Sequence, residues 1–225
     1  MATKIDFDAK SGAAASGALG TPEGSGKAPG LVLIQEWFGI TDYIRSLVDR
    51  FAAEGFLVVA PDLYHGTVAK DEAEAGKLMN ELDGQRAMDD IAGATAYLKA
   101  HARSSGKVGV IGFCMGGAYA FAATSAVPEL SAAVPFYGIP PMERLDFDKM
   151  KAPILAHFAE HDQWATVAKA QEIKKQIDAH HGSMQLEVYD AGHAFMRDTA
   201  PDKYAPEAAK LAWTRTLAFL HQHLG

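Results

Sequence analysis

The sequence predicts an α/β fold: a mostly parallel, twisted sheet with helices on both faces and an antiparallel hairpin at one edge. Three observations carry this reading. Short apolar runs of strand length recur along the chain, most of them near-continuous in Val, Ile, Leu, Ala and Phe, as in strands buried on both faces. Helix-length segments alternate with them, the pattern of parallel strands joined by helical crossovers. The N-terminal part breaks this alternation, being polar, alternating and rich in Gly and Pro.

In chain order, KIDFDA (Lys4–Ala9) alternates like a half-buried strand. A weaker strand and a turn region follow in AAASGALGTPEGSGKAPG (Ala13–Gly30). The TPEGSGKAPG stretch resembles a linker, but about 20 residues before it are too few for a domain. One domain over residues 1–225 is therefore expected. The remaining strands are expected at Leu31–Gln35, Phe56–Ala60, Lys107–Ile111, Ala132–Tyr137, Pro153–Phe158 and Gln185–Asp190. Helices are expected at Asp42–Ala53, Asp71–His101 with a break near Gly84, Met115–Ala126, Thr166–His180 and Pro206–His223.

Composition narrows the function classes. Charged residues make up 22% of the chain and hydrophobic ones 48%, the balance of a globular protein. A net charge of −7 argues against a nucleic-acid partner, which calls for a basic surface. The single cysteine excludes an internal disulfide and suits a reducing compartment. MATKIDFDAK lacks a signal pattern, and no run of about 18 apolar residues occurs. A cytoplasmic protein without a membrane partner is expected; the sequence indicates no oligomeric state.

The one cysteine, Cys114, lies in KVGVIGFCMGGAYAFAA, between a strand and a helix. Gly112 and Gly116, two positions to either side, remove side chains from a very tight turn. The central residue is then pushed into a strained backbone conformation and projects from the C-terminal edge of the sheet. The following helix N-terminus favours a thiolate. This is a nucleophile-elbow pattern with cysteine in the serine position. A buried structural cysteine in a glycine-rich turn fits the same stretch taken alone.

The order of later residues decides between them. A nucleophile at such an elbow needs a base, and the base an orienting acid. Here the acid comes first and the histidine second. Asp162 follows the strand PILAHF, in AEHDQW; His193 follows QLEVYD, in AGHAF. Alone, Asp162 would serve as a helix N-cap and His193 as one polar loop histidine among nine. Together they fall on the strand ends that bind ligands in open α/β sheets. The oxyanion hole is expected from the backbone N–H groups of Met115, next to the nucleophile, and of Trp37, in the QEWFGI loop. His65 and the pair His180–His181 show no metal-ligand spacing, so no metal and no organic cofactor are expected.

QEWFG, APDLYHG, GFCMGG, HDQW and GHAFMR together resemble the dienelactone hydrolase family of α/β-hydrolases, over nearly the whole chain. The resemblance implies an α/β-hydrolase fold without a large lid domain. It implies a Cys114–His193–Asp162 triad and hydrolysis of a small ester or lactone through a thioester. It also implies that Glu36 interacts with the resting thiol, where two adjacent negative charges would be costly. Without the resemblance, Glu36 reads as a loop carboxylate paired with backbone or arginine. Arg197 matches an arginine that binds a substrate carboxylate, which implies an anionic substrate. A second such arginine is absent; Glu72 falls near its place, and Gly76 and Met79 stand where the pocket has aromatic residues. Arg86 is nearby but does not align. These departures leave a broad-specificity carboxylesterase or thioesterase, and a binding or redox-sensing protein on the same scaffold, as alternatives.

Overall fold

The computed structural model describes residues 1–225. Eight strands form one sheet in the order β1-β2-β4-β3-β5-β6-β7-β8. β1 (Thr3–Asp8) and β2 (Ala14–Gly20) make the edge hairpin, and β2 also runs antiparallel to β4 (Leu57–Pro61). From β4 onward every pairing is parallel, through β3 (Ala28–Ile34), β5 (Ser104–Phe113), β6 (Ala132–Phe136), β7 (Ile154–Ala159) and β8 (Met184–Tyr189). β4, β6 and β7 are buried along their whole length, which accounts for their unbroken apolar sequences. β8 is an edge strand with Val188 exposed, and it tolerates the polar residues of QLEVYD.

The helices are α1 (Asp42–Ala53), α2 (Glu72–Glu81), α3 (Gly84–Ala100), α4 (Met115–Ala126), α5 (Val167–Ala179) and α6 (Pro206–Leu224). Right-handed crossovers explain their distribution. The chain moves one way across the sheet from β3 through α1 to β4, and the other way from β4 through α3 to β5 and through α4 to β6. Opposite travel places α1 on the face opposite to α3 and α4. α6 returns beside α1, where Phe51 meets Trp213 at 4.5 Å between ring centres and Arg50 lies 4.3 Å above the same indole. The strand order reverses between β3 and β5, so the crevice at their C-terminal ends is the expected ligand position.

Most element boundaries agree with the sequence reading. The long helical segment is split, as expected, and Asp71 and Asp83 supply the caps of the two halves by accepting from Glu74 N and from Gln85 and Arg86 N. β3 and β5 are longer than expected. Ala28 pairs with Ser104 ahead of the apolar runs, a polar beginning that hydrophobicity does not mark. Gln35, Tyr137 and Asp190 fall just beyond their strands. No helix is long and apolar enough to cross a membrane.

Candidate active site

Loops after β3, β5, β7 and β8 converge at the C-terminal edge of the sheet. Cys114 ends β5 in a left-handed conformation, φ 56° and ψ −116°. Such a backbone costs a non-glycine residue about 1–3 kcal/mol and persists only where its surroundings enforce it. A Cβ at Gly112 would collide with the Gly116 carbonyl, and one at Gly116 with the carbonyls of Ile34 and Gln35. The turn is pinned on both sides: Cys114 N–H donates to Phe136 O at 3.1 Å, and Cys114 O accepts from Gly117 and Ala118 N–H at 2.9 and 3.2 Å.

The thiol meets His193. Nε2 of His193 is 3.1 Å from Cys114 Sγ, and Nδ1 is 2.6 Å from Asp162 Oδ2. The other oxygen, Oδ1, accepts from Trp164 and Ala165 N–H at 2.8 and 3.0 Å. Burial alone would raise the Asp162 pKa; His193 and those two N–H donors outweigh it and hold the pKa below the usual carboxylate value. Burial likewise works against a charged His193, but its hydrogen bonds to Asp162 and Cys114 raise its pKa to about 10. Two aromatic edges flank the imidazole, Tyr137 at 5.2 Å and Trp164 at 5.3 Å.

Glu36 is buried, at 4% exposure. Burial raises its pKa, against the opposing charges of Arg197, His193 and Lys203. Its ion-pair partner is Arg197, with Nε 3.9 Å from Oε2, and no hydrogen bond joins it to Cys114; the thiol's hydrogen bond is with His193. Arg197 Nε is buried without a hydrogen-bond partner, and its guanidinium lies 4.9 Å from the Phe38 ring. Trp37 N–H makes no hydrogen bond within the chain, and Met115 N–H belongs to the first turn of α4, where helix geometry supplies no partner.

These groups border a cavity of about 440 Å³ that also includes Glu72, Met79, Tyr137, Ile139, Trp164 and Lys203. Every residue singled out as a site candidate, Cys114, His193, Asp162, Glu36, Met115, Trp37 and Arg197, lies in this region, Asp162 behind the histidine. Arg86 does not: it binds Asp90 at 2.9 Å and the Ala14 carbonyl at 2.6 Å. Sequence reasoning missed Tyr137, which is fully buried with φ 35° and an unpartnered hydroxyl. It also missed Lys203, which pairs with Glu72 at 3.6 Å across the cavity. Neither lies in a pattern that sequence marks. His161 turns outward to Asp190 at 2.8 Å; with Glu160 they form an exposed cluster whose ligand atoms lie within 4.8 Å of one another. His180 bonds Asp148 at 2.7 Å.

A strand-to-helix elbow, followed in chain order by an acid and a histidine on later strand ends of a parallel sheet, defines the α/β-hydrolase class. Solved structures agree on the fold: a dienelactone hydrolase-like promiscuous phosphotriesterase from metagenomic libraries is 22% identical, with a TM-score of 0.87 over 100% of this chain and 99% of that one. The dienelactone hydrolase family model matches residues 15–224, and the chain belongs to that family. Among its relatives, Protein usf of Aquifex pyrophilus is 35% identical over the full length of both chains. Carboxymethylenebutenolidase of Pseudomonas putida is 33% identical over 91% of this chain and 90% of its own. The chain is thus a dienelactone hydrolase-like carboxylic ester hydrolase.

Proposed function

We propose that the chain hydrolyses a small carboxylated ester or lactone with Cys114 as the nucleophile. The observation that carries this is the Asp162–His193–Cys114 relay, with contacts of 2.6 and 3.1 Å at a strained elbow. His193 takes the thiol proton and Sγ attacks the carbonyl carbon. Negative charge then develops on the carbonyl oxygen, where the Met115 and Trp37 N–H groups are available to stabilise it. The tetrahedral adduct collapses to a thioester as the C–O bond breaks, and the leaving oxygen receives the proton from His193. His193 next removes a proton from water, which attacks the thioester and returns the thiol. For a lactone the leaving oxygen stays tethered to the acyl group.

Arg197 supports an anionic substrate. Its Nε has no hydrogen-bond partner and lies beside the cavity, so a carboxylate there would satisfy it. Glu36 would release Arg197 to the substrate carboxylate, while the thiol proton passes to its hydrogen-bond partner His193. Its seat on Arg197 suits the arrangement in which the thiol faces His193.

The test uses p-nitrophenyl acetate together with cis- and trans-dienelactone. Cys114→Ala is expected to lose at least about 10³-fold in kcat on every substrate turned over; wild-type rates would remove Cys114 from the nucleophile role. Turnover of either dienelactone by the wild type identifies a lactonase. Good turnover of p-nitrophenyl acetate beside negligible turnover of both lactones would replace that reading with a broad-specificity carboxylesterase.

A further inference from the structure

We infer that Tyr64 is a positioning residue for the oxyanion hole, one phenol holding both residues that carry its N–H groups. The inference rests on the catalytic reading above. The Tyr64 hydroxyl donates to the Trp37 carbonyl at 3.0 Å and lies 3.4 Å from Met115 Sδ. It carries one proton, and a carbonyl is a stronger acceptor than a thioether. The proton therefore goes to Trp37, and the phenol oxygen rests against the Met115 sulfur. The contact spans three elements: Tyr64 follows β4, Trp37 follows β3 and Met115 opens α4.

The loop bearing Tyr64 is itself fixed. Asp62 accepts from Tyr64 N–H at 3.1 Å through Oδ1 and from Gly66 N–H at 2.7 Å through Oδ2. Two further bonds join this loop to the one after β3: Leu63 N–H to Gln35 Oε1 at 3.3 Å, and Ala69 N–H to Phe38 O at 2.9 Å. The carbonyls of Trp37 and Phe38 are thus both engaged, whereas Trp37 N–H has no partner in the chain. A donor preorganised toward developing charge needs this arrangement, with its backbone anchored and its N–H free. Burial, with Tyr119 and Cys114 nearby, holds the phenol pKa well above its ordinary value, so Tyr64 remains a donor at neutral and mildly alkaline pH.

Tyr64→Phe keeps the ring and removes the hydroxyl. Two reactions of Cys114 then separate positioning from a general effect on the fold. Hydrolysis of p-nitrophenyl acetate passes through an oxyanion; alkylation by iodoacetamide displaces iodide at a saturated carbon and forms none. In Tyr64→Phe, kcat is expected to fall about tenfold or more with KM nearly unchanged. The alkylation rate is expected to stay within about twofold of wild type, because no oxyanion donor is needed. Unchanged kcat would overturn the inference, and so would alkylation that slows in step with turnover. Failure of the catalytic reading itself looks different: wild-type protein fully alkylated by iodoacetamide would keep its esterase activity.

Discussion

Asp162 divides its carboxylate between two tasks, one oxygen for His193 and the other for the backbone of Trp164 and Ala165. Asparagine could keep the second task with its amide oxygen while presenting N–H to His193. That would make Nδ1 an acceptor and put the imidazole proton on Nε2, facing the thiol. Asp162→Asn is therefore expected to retain the fold and lose about 10³–10⁴-fold in kcat. The pH profile supplies a second readout. In the wild type, hydrogen bonds to Asp162 and Cys114 outweigh burial and raise the His193 pKa to about 10. Without the Asp162 charge the imidazolium is lost at lower pH, so the alkaline limb of the kcat profile should shift downward. Wild-type kcat with an unshifted limb would take Asp162 out of the relay. At this scale the meeting of Cys114, Asp162 and His193 was legible because each follows a strand that ends at the same sheet edge. Lys203 and Tyr137 were not, because they reach the cavity from loops whose paths no periodicity encodes.

At the scale of the element, β7 carries an internal polar group with its own consequence. His157 is fully buried, with Nδ1 2.8 Å from the Tyr189 hydroxyl and Nε2 3.0 Å from Thr216 Oγ1, and the Phe136 ring stacks on it at 4.3 Å. Burial, assisted by the Arg215 charge, lowers its pKa to about 3. The unfolded chain binds this proton near pH 6.5 and the folded chain does not, so stability is full above that pH. It is lost as pH falls toward 3, by at most about 1.4 kcal/mol per pH unit. Thermal melts at pH 7.5 and pH 4.5 should reveal the loss, and His157→Gln should melt with a weaker dependence over that interval. Equal pH dependence in both proteins would assign the loss to other groups. A histidine inside PILAHF does not disturb the strand signal, so the element was legible while its acid sensitivity was not. The helix break near Gly84 was visible for a local reason: Asp71 and Asp83 each sit where a helix needs a cap. The polar start of β5 is held by pairing with β3, a non-local cause that a window of sequence does not contain.

The molecule as a whole carries a net charge of −7, yet Arg197 and Lys203 both reach its C-terminal cavity. Glu36 and Glu72 respectively face these two cations, so each is held by a carboxylate that a substrate anion could displace. Lys203→Met should therefore raise KM several-fold for an ester bearing a free carboxylate, the size expected of a partly exposed ion pair. KM for neutral p-nitrophenyl acetate should be unchanged. An equal change for both substrates would mean that the lysine shapes the cavity rather than selecting charge. Strand alternation made the parallel sheet and its ligand-binding C-terminal edge legible, whereas the strand order that puts the crevice beside β3 and β5 is set by non-local pairing. The charge inside the crevice was not legible either, because it comes from residues far apart in the chain, Arg197 with Glu36 and Lys203 with Glu72. Cys114 has one more consequence for the molecule, since no second thiol exists. A spin label attached there would occupy one position only, between the loops that carry Trp37, Trp164 and Lys203. Its spectrum would record the motion of that rim directly, with no engineered cysteine and no background signal to subtract.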